Sequence, residues 1–331
     1  MDVLFVTDPL ASLNPHKDST YVMVTEAQRR GHRPYAVTLE RLLLRQDRAM
    51  AHAVPLATGD GAARAPLVAS GPAQRRDLAT FDVVLMRKDP PFDQNYLIAT
   101  WILEQAARDT LVLNDPNGLR DLNEKLSVAW FPELCPPTQI VRTPDDLHRA
   151  LADFGGKMVV KPVFGYGGRE ILLAFEGDPN LSALFELATQ EGARWTVAQA
   201  FLPAAAQGDK RVLLVDGKPI GAVTRIAARG EARNNFHTGG HAERAELSER
   251  DQEICAELGP FLSARGQFFV GLDIIGGLVT EINVTSPTGM QEINELHCLT
   301  NEHTMQALFW DRLEAKVTSS VRKSDPSTST S

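Results

Sequence analysis

Residues 270–287, VGLDIIGGLVTEINVTSP, constrain this chain more than any other stretch. Two short apolar runs flank Gly276–Gly277, and a glycine pair supplies the positive φ angles of a tight hairpin turn. Three oxygen-bearing side chains, Asp273, Glu281 and Asn283, sit in these runs. Glu281 and Asn283 are two apart on one strand and therefore share a face. Carboxylates and an amide oxygen are the hard ligands that Mg²⁺ takes alongside substrate phosphates. Register decides whether Asp273 joins them. A two-residue loop pairs Ile275 with Leu278 and puts Asp273 and Glu281 on opposite faces. A three-residue loop, 276–278, puts Asp273 directly across from Glu281. The plain alternative is an ordinary hairpin whose acids face solvent.

The chain around this hairpin reads as α/β. Val3 to Thr7 is a continuous apolar run, as in a strand buried on both faces of a parallel sheet. Residues 18–30 follow with helical spacing, capped by Asp18 or Ser19 and stopped by Gly31, and Ala36 to Leu39 is a second strand. Residues 45–79, rich in Ala, Gly, Pro and Arg, read as part strand or hairpin and part exposed loop. Phe81 to Met86 is a third buried strand, and Arg87-Lys88-Asp89 lies at its C-terminal end, where α/β sheets bind ligands. Helix 95–108 and strand Leu111 to Leu113 complete this unit. Asp121 to Trp130, carrying Lys125, reads as helical, and Pro132, Pro136 and Pro137 mark a boundary.

Beyond it, Met158 to Pro162 is a strand with Lys161 near its end, followed by the glycine loop Phe164-Gly165-Tyr166-Gly167-Gly168. Such a loop between two strands can bring backbone N–H groups to phosphate oxygens, although most glycine turns are only turns. It is not a Walker A loop, since no Gly-Lys-Ser/Thr follows. The strand Trp195 to Phe201 leads into Leu202-Pro203. Arg225 lies within the apolar strand Ile220 to Ile226, where an arginine needs an anion or a carboxylate partner. Residues 227–241 read as a polar, glycine-rich loop or lid. Leu247 to Arg265 is a helix opened by Ser248, with Asp251 three residues on, an acidic variant of the capping box. A C-terminal helix is expected near 300–316 and a structureless Ser/Thr-rich tail over 318–331.

Composition narrows the function. A formal charge of -8 argues against a general electrostatic grip on nucleic acid or an anionic membrane. No apolar run is long enough to span a membrane. Cys135, Cys255 and Cys298 match no zinc spacing and cannot all pair, which suits a reducing, cytoplasmic setting. No G-x-G-x-x-G follows the first strand, so hydride transfer fits poorly. Two spaced lysines, a glycine loop, a strand ending in a hinge, an arginine-bearing loop and a three-ligand hairpin are instead what an ATP-dependent ligase needs.

The same segments resemble the bacterial glutathione synthetase family of the ATP-grasp superfamily. KDSTYVMVTEAQRRGH, VVLMRKDPPFD, NDPNGLRDLNEKL, VVKP with its glycine loop, GDKRVLLVDG, RGEARNN with TGG, and VGLDII with TEINVTSPTG follow the family's order. They run from about residue 7 to about residue 295. The resemblance implies an open parallel N-terminal α/β domain over 1–122, then an ATP-grasp fold with a small lid subdomain over 123–202 and a catalytic subdomain over 203–317. It implies ligation of γ-glutamylcysteine and glycine with ATP and Mg²⁺, or Mn²⁺ in its place, in a homodimer or homotetramer. Position by position, Lys125 and Lys161 look like the ATP-phosphate lysines, and the loop holding Gly165, Gly167 and Gly168 resembles the phosphate lid. Gln199, Ala200, Phe201 and Leu202 resemble the adenine hinge, and Asp273, Glu281 and Asn283 the metal ligands. Arg211, Arg225 and Arg233 match arginines that hold the transferred phosphate, so Arg225→Ala or Arg233→Ala is expected to leave the fold intact and to lower turnover strongly. Arg87, Asn235, Gly239, Gly240, Ser286 and Thr288 match the substrate side. Two rival readings remain: an ATP-grasp ligase for another acid and amine, and a non-catalytic nucleotide-binding protein.

Overall fold

A computed structural model of the chain describes residues 1–59, 64–228 and 240–324. Its first sheet contains β1 (Asp2–Val6), β2 (Arg33–Val37), β3 (Leu42–Arg45), β4 (Arg48–Thr58), β5 (Leu67–Ala69), β6 (Gln74–Asp77), β7 (Val83–Met86) and β8 (Leu111–Leu113). The order is β3-β4-β2-β1-β7-β8, with β5 and β6 paired to β4. β2, β1, β7 and β8 run parallel, as their continuous apolar runs dictate. Helices α1 (Ser19–Arg29), α2 (Gln94–Ala106) and α3 (Pro116–Asp121) accompany this sheet.

The stretch 45–79 holds strands β4, β5 and β6 with non-strand connections between them, in line with its reading as part strand and part loop. β4 joins β2 antiparallel, so the sheet is mixed rather than purely parallel. Ala49, Ala51 and Ala53 alternate inward along β4 and are almost fully buried, packed in the same core as α2 residues Tyr96 and Leu103. Alanine is weakly apolar, so this period of two barely registers in the sequence.

A second sheet, ordered β11-β10-β12-β9, contains β9 (Thr138–Val141), β10 (Lys157–Pro162), β11 (Leu172–Phe175) and β12 (Thr196–Ala200), all antiparallel. With α4 (Pro144–Asp153) and α5 (Leu181–Thr189) it encloses a core of its own around Leu147, Met158 and Phe185. The third sheet, ordered β15-β14-β13-β16-β17, contains β13 (Asp209–Val215), β14 (Lys218–Ile226), β15 (His241–Arg244), β16 (Phe269–Ile275) and β17 (Leu278–Asn283). It carries α6 (Glu249–Ala264), α7 (Met290–Leu296) and α8 (Met305–Ser324). The other two apolar cores each mix side chains of the first and third sheets, such as Leu4 with Leu272 and Phe5 with Leu213.

Polar contacts join these two sheets as well. Asn114 donates through Nδ2 to the carbonyls of Phe269 at 2.9 Å and Val284 at 2.7 Å, and its Oδ1 accepts from the N–H groups of Phe268 and Phe269, both at 2.8 Å. Trp310 on α8 donates its indole N–H to the carbonyl of Met23 on α1 at 2.9 Å. Helix α8 extends to Ser324, so the first residues of the segment expected to lack structure are helical.

α6 begins where the sequence places it. Asp251 N–H donates to Ser248 Oγ at 3.2 Å, and Ser248 N–H donates back to Asp251 Oδ2 at 2.8 Å. Ser248→Ala should therefore lose about 1 kcal/mol of unfolding free energy, read from urea denaturation, with turnover unchanged.

Candidate active site

The metal-candidate hairpin resolves the register question in a third way. Ile275 pairs with Leu278 and Ile274 with Val279 across the two-residue turn Gly276–Gly277. The register then shifts, and Asp273 pairs directly with Glu281. Thr280 is the extra residue of a β-bulge, and its hydroxyl donates to the carbonyl of Asp273 at 3.3 Å. One inserted residue flips every later side chain to the other face. A two-residue turn and facing acids are therefore compatible, which neither loop length considered alone allows.

Asp273, Glu281 and Asn283 line a cavity of about 380 Å³ between the second and third sheets. Among the described residues no three Asp, Glu, His or Cys side chains form a metal cluster, so the hard-donor set is two carboxylates and an amide. Asn283 Nδ2 is buried with no hydrogen-bond partner among the described residues. That NH₂ is a donor, so a bound acceptor such as a phosphate oxygen, and not the cation itself, would satisfy it; left unpaired it costs about 1–3 kcal/mol. This donor set fits a divalent cation that also takes oxygens from a phosphate substrate.

Four cations surround these acids. Arg211 on β13 donates through Nε to Asp273 Oδ1 at 2.5 Å and through Nη2 to Oδ2 at 3.0 Å. Arg225 on β14 bridges Asp273 Oδ2 at 2.7 Å and Asp209 Oδ2. Burial works to raise the Asp273 carboxyl, but the two guanidiniums overcome it and hold the group far below the usual carboxylate range. Asp209, whose ion-pair partner among the described residues is Arg225, is pushed up to about 7 by burial, with the Asp273 charge adding to the effect. Lys125 Nζ and Lys161 Nζ approach Glu281 Oε1 at 3.7 and 3.5 Å. Burial opposes the charge on Glu281, yet the two lysines lower its carboxyl. Burial also lowers Lys161, with Glu281 the main offset.

One part of the cavity is an apolar slot. Val159, Ile171, Phe201, Leu202 and Ile275 line it, along with Gly167, Gly168 and Ala200. An apolar slot ending in clustered cations matches a flat heteroaromatic ring carrying phosphates. Lys125 does not sit on a helix. α3 ends at Asp121, and Asn123 Oδ1 then accepts from the N–H groups of Lys125 and Leu126 at 3.0 and 2.9 Å, which turns the chain.

Other expected residues are placed differently. Gly165 does not line the cavity, but its carbonyl accepts from Lys125 Nζ at 2.5 Å. The Gln199 side chain is directed to Thr138 Oγ1 at 2.9 Å and stays out of the cavity. Gly240 precedes β15 and is not among the lining residues. Arg87 is buried outside the cavity, donating to Thr20 Oγ1 at 3.1 Å and to the Pro287 carbonyl at 3.0 Å, with burial pulling its guanidinium down to about 10. It thereby holds the segment whose Ser286 and Thr288 do line the cavity. Arg233, Asn235 and Gly239 lie outside the described residues.

Two lining carboxylates escaped the sequence reading. Asp209 lies two residues before Arg211 on β13 and so shares its face, a signal that was there to be read. Glu124 had no such signal. Its Oε1 accepts from the N–H groups of Val284 and Thr285, both at 3.1 Å, contacts made only in the folded chain.

This architecture has solved counterparts. D-cycloserine synthetase DcsG aligns with a TM-score of 0.67 at 15% identity, covering 96% of this chain and 100% of that one. The ATP-grasp ligase PsnB, solved with a precursor peptide and AMPPNP, aligns with a TM-score of 0.60 at 18% identity, covering 96% and 98%. The fold, with its cavity between two antiparallel sheets, is that of the ATP-grasp ligases. Within that class the sequence is more specific. Residues 1–120 match the model of the prokaryotic glutathione synthetase N-terminal domain, and residues 124–298 that of the prokaryotic glutathione synthetase ATP-grasp domain. Glutathione synthetase of Parasynechococcus marenigrum is 46% identical over 297 residues, 89% of this chain and 94% of that protein. That of Xanthomonas campestris pv. campestris is 43% identical over 317 residues, 95% and 98%. The chain belongs to the prokaryotic glutathione synthetase family.

Proposed function

We propose that this chain joins γ-glutamylcysteine to glycine at the expense of ATP, releasing glutathione, ADP and phosphate. The observation that carries the reading is the convergence of Lys125, Lys161, Arg211 and Arg225 on the acids of one cavity that continues into an apolar slot. ATP seats its adenine in the slot beside Ala200, Phe201 and Leu202, with its phosphates toward the two lysines and the Gly167–Gly168 turn. Asp273, Glu281 and Asn283 would hold Mg²⁺, which would neutralise phosphate charge. The cysteinyl carboxylate of γ-glutamylcysteine attacks the γ-phosphorus, and the bond to the ADP oxygen breaks. The resulting acyl phosphate is attacked by the glycine amine. A tetrahedral intermediate forms, the amine loses a proton, and the carbon–oxygen bond to phosphate breaks.

No covalent enzyme nucleophile is required. The chain supplies position and charge: Arg211 and Arg225 stabilise the transferred phosphoryl group, Arg233 is assigned the same role, and Ser286 and Thr288 hold the peptide. Arg87 contributes on the substrate side by fixing the 286–288 backbone. No helix among the described residues is long and apolar enough to cross a membrane. Cys135, Cys255 and Cys298 are all free, which suits work in the cytoplasm. The reading also takes the protein as a homo-oligomer.

The test is ADP release by purified protein with Mg-ATP, γ-glutamylcysteine and glycine, leaving out each in turn. The expected result is ADP production that needs all three, with glutathione identified by mass spectrometry. Turnover only with another acid or amine would discard the substrates and keep the fold. Silence with every pair would overturn the catalytic reading.

A further inference from the structure

γ-Glutamylcysteine carries a second charged centre, away from the carboxylate that reacts. The α-carbon of its glutamyl residue bears an ammonium and a carboxylate, and both stay charged throughout the reaction. A charge drawn out of water needs a partner of opposite sign.

Among the described residues, the carboxylates lining the cavity are Asp89, Glu124, Asp209, Asp273 and Glu281. Asp209 and Asp273 are paired with arginines and Glu281 with lysines. Glu124 accepts from the backbone of Val284 and Thr285. The Asp89 side chain has no hydrogen bond or ion pair among the described residues, although its backbone is pinned. Its N–H donates to Asp8 Oδ2 at 2.9 Å, and Lys88, paired with Asp8 at 2.9 Å, donates to its carbonyl at 2.7 Å. A fixed backbone thus presents a free carboxylate to the cavity.

Its place is the peptide end. Ser286 Oγ donates to the Arg87 carbonyl at 3.2 Å, and Arg87 donates to the Pro287 carbonyl, so the loop holding Asp89 and the run 286–288 form one wall. Two buried groups beside that loop are also short of partners. Arg87, 5% exposed, has no carboxylate within ion-pair distance among the described residues. The Tyr96 hydroxyl is fully buried with no hydrogen-bond partner, where a buried tyrosine ordinarily finds one. Burial, with the Glu124 charge adding to it, pushes that hydroxyl up, so it stays protonated and able to donate.

We propose that Asp89 reads the free amino-acid end of the γ-glutamyl residue: its carboxylate takes the α-ammonium, while the uncompensated charge of Arg87, with the Tyr96 hydroxyl, favours the α-carboxylate on the same carbon. The assignment rests on the peptide substrate proposed above and makes Asp89 a determinant of specificity. α-Glutamylcysteine has the same charges but does not carry them on one carbon.

The test compares γ-glutamylcysteine with N-glutarylcysteine, which has hydrogen in place of the ammonium, by ADP release from the full chain. With γ-glutamylcysteine, Asp89→Asn should raise KM about tenfold or more and change kcat little. With N-glutarylcysteine the wild type should already show the raised KM, and Asp89→Asn should add nothing further. Asp89→Glu should recover part of the loss. An unchanged KM for γ-glutamylcysteine, an equal rise with both peptides, or a rise confined to glycine would overturn the assignment and leave the ligase reading standing. A wild type that ignores γ-glutamylcysteine and turns over another acid would overturn both. If Asp89→Asn fails to fold, the wild type decides: equal KM values for the two peptides would overturn the assignment.

Discussion

Arg225→Ala should lower turnover by ~10²–10³ and weaken the fold as well. The catalytic part follows from losing one preorganised charge donor in the phosphate end of the cavity. The stability part corrects the expectation, drawn from sequence, that the fold would be untouched. Arg225 is 7% exposed and ion-paired with both Asp209 and Asp273. Among the described residues, alanine leaves Asp209 without its ion-pair partner and Asp273 paired with Arg211 alone. Removing one partner of a buried pair typically costs about 3–5 kcal/mol. Part of this is recovered because Asp209, already raised to about 7, takes up a proton at modest cost. Urea denaturation and kcat/KM, measured on the same preparation, test both halves. A variant with normal turnover and normal stability would remove Arg225 from the site.

Asn114→Ala should be the second large loss, roughly 3–5 kcal/mol in unfolding free energy. Asn114 is 5% exposed and makes four hydrogen bonds to the backbone of residues 268, 269 and 284. Alanine strands those backbone groups in a place water reaches poorly, and each unpaired group costs about 1–3 kcal/mol before relaxation. The contact joins the end of β8 to the start of β16 and to Val284, one residue before the cavity-lining run Thr285 to Thr288. KM for the peptide substrate should therefore rise along with the loss of stability. Denaturation together with substrate saturation curves would show this. A stable variant with unaltered KM would mean that the apolar cores alone hold the two sheets in register.

The hairpin shows how much of the site was legible. Gly276 and Gly277 marked the turn, with φ angles of +59° and +78°, and the spacing of Glu281 and Asn283 placed both on one face. The bulge at Thr280 was not legible, because an extra residue changes register without changing composition or period. Arg225 illustrates the same limit. Its position in an apolar strand announced a carboxylate partner, but not which one. Arg87 read as a ligand-facing cation at a strand end, whereas the fold turns it to Thr20 and the Pro287 carbonyl. In β4 the buried face is alanine, too faint an apolar signal to separate strand from loop.

By itself the sequence determined the elements and their order: the parallel strands with their apolar runs, the Ser248–Asp251 cap, the glycine turns and the residue types that phosphate chemistry requires. These follow from interactions among near neighbours in the chain, so spacing and residue type suffice. Only the tertiary structure decided that Asp273 faces Glu281, that Asp209 shares Arg225 with Asp273, that Glu124 anchors residues 284 and 285, and that Asn114 joins two sheets. Each of these pairs residues that local period cannot register, most of them far apart in sequence, and each is settled by which buried polar groups find partners once the sheets have packed.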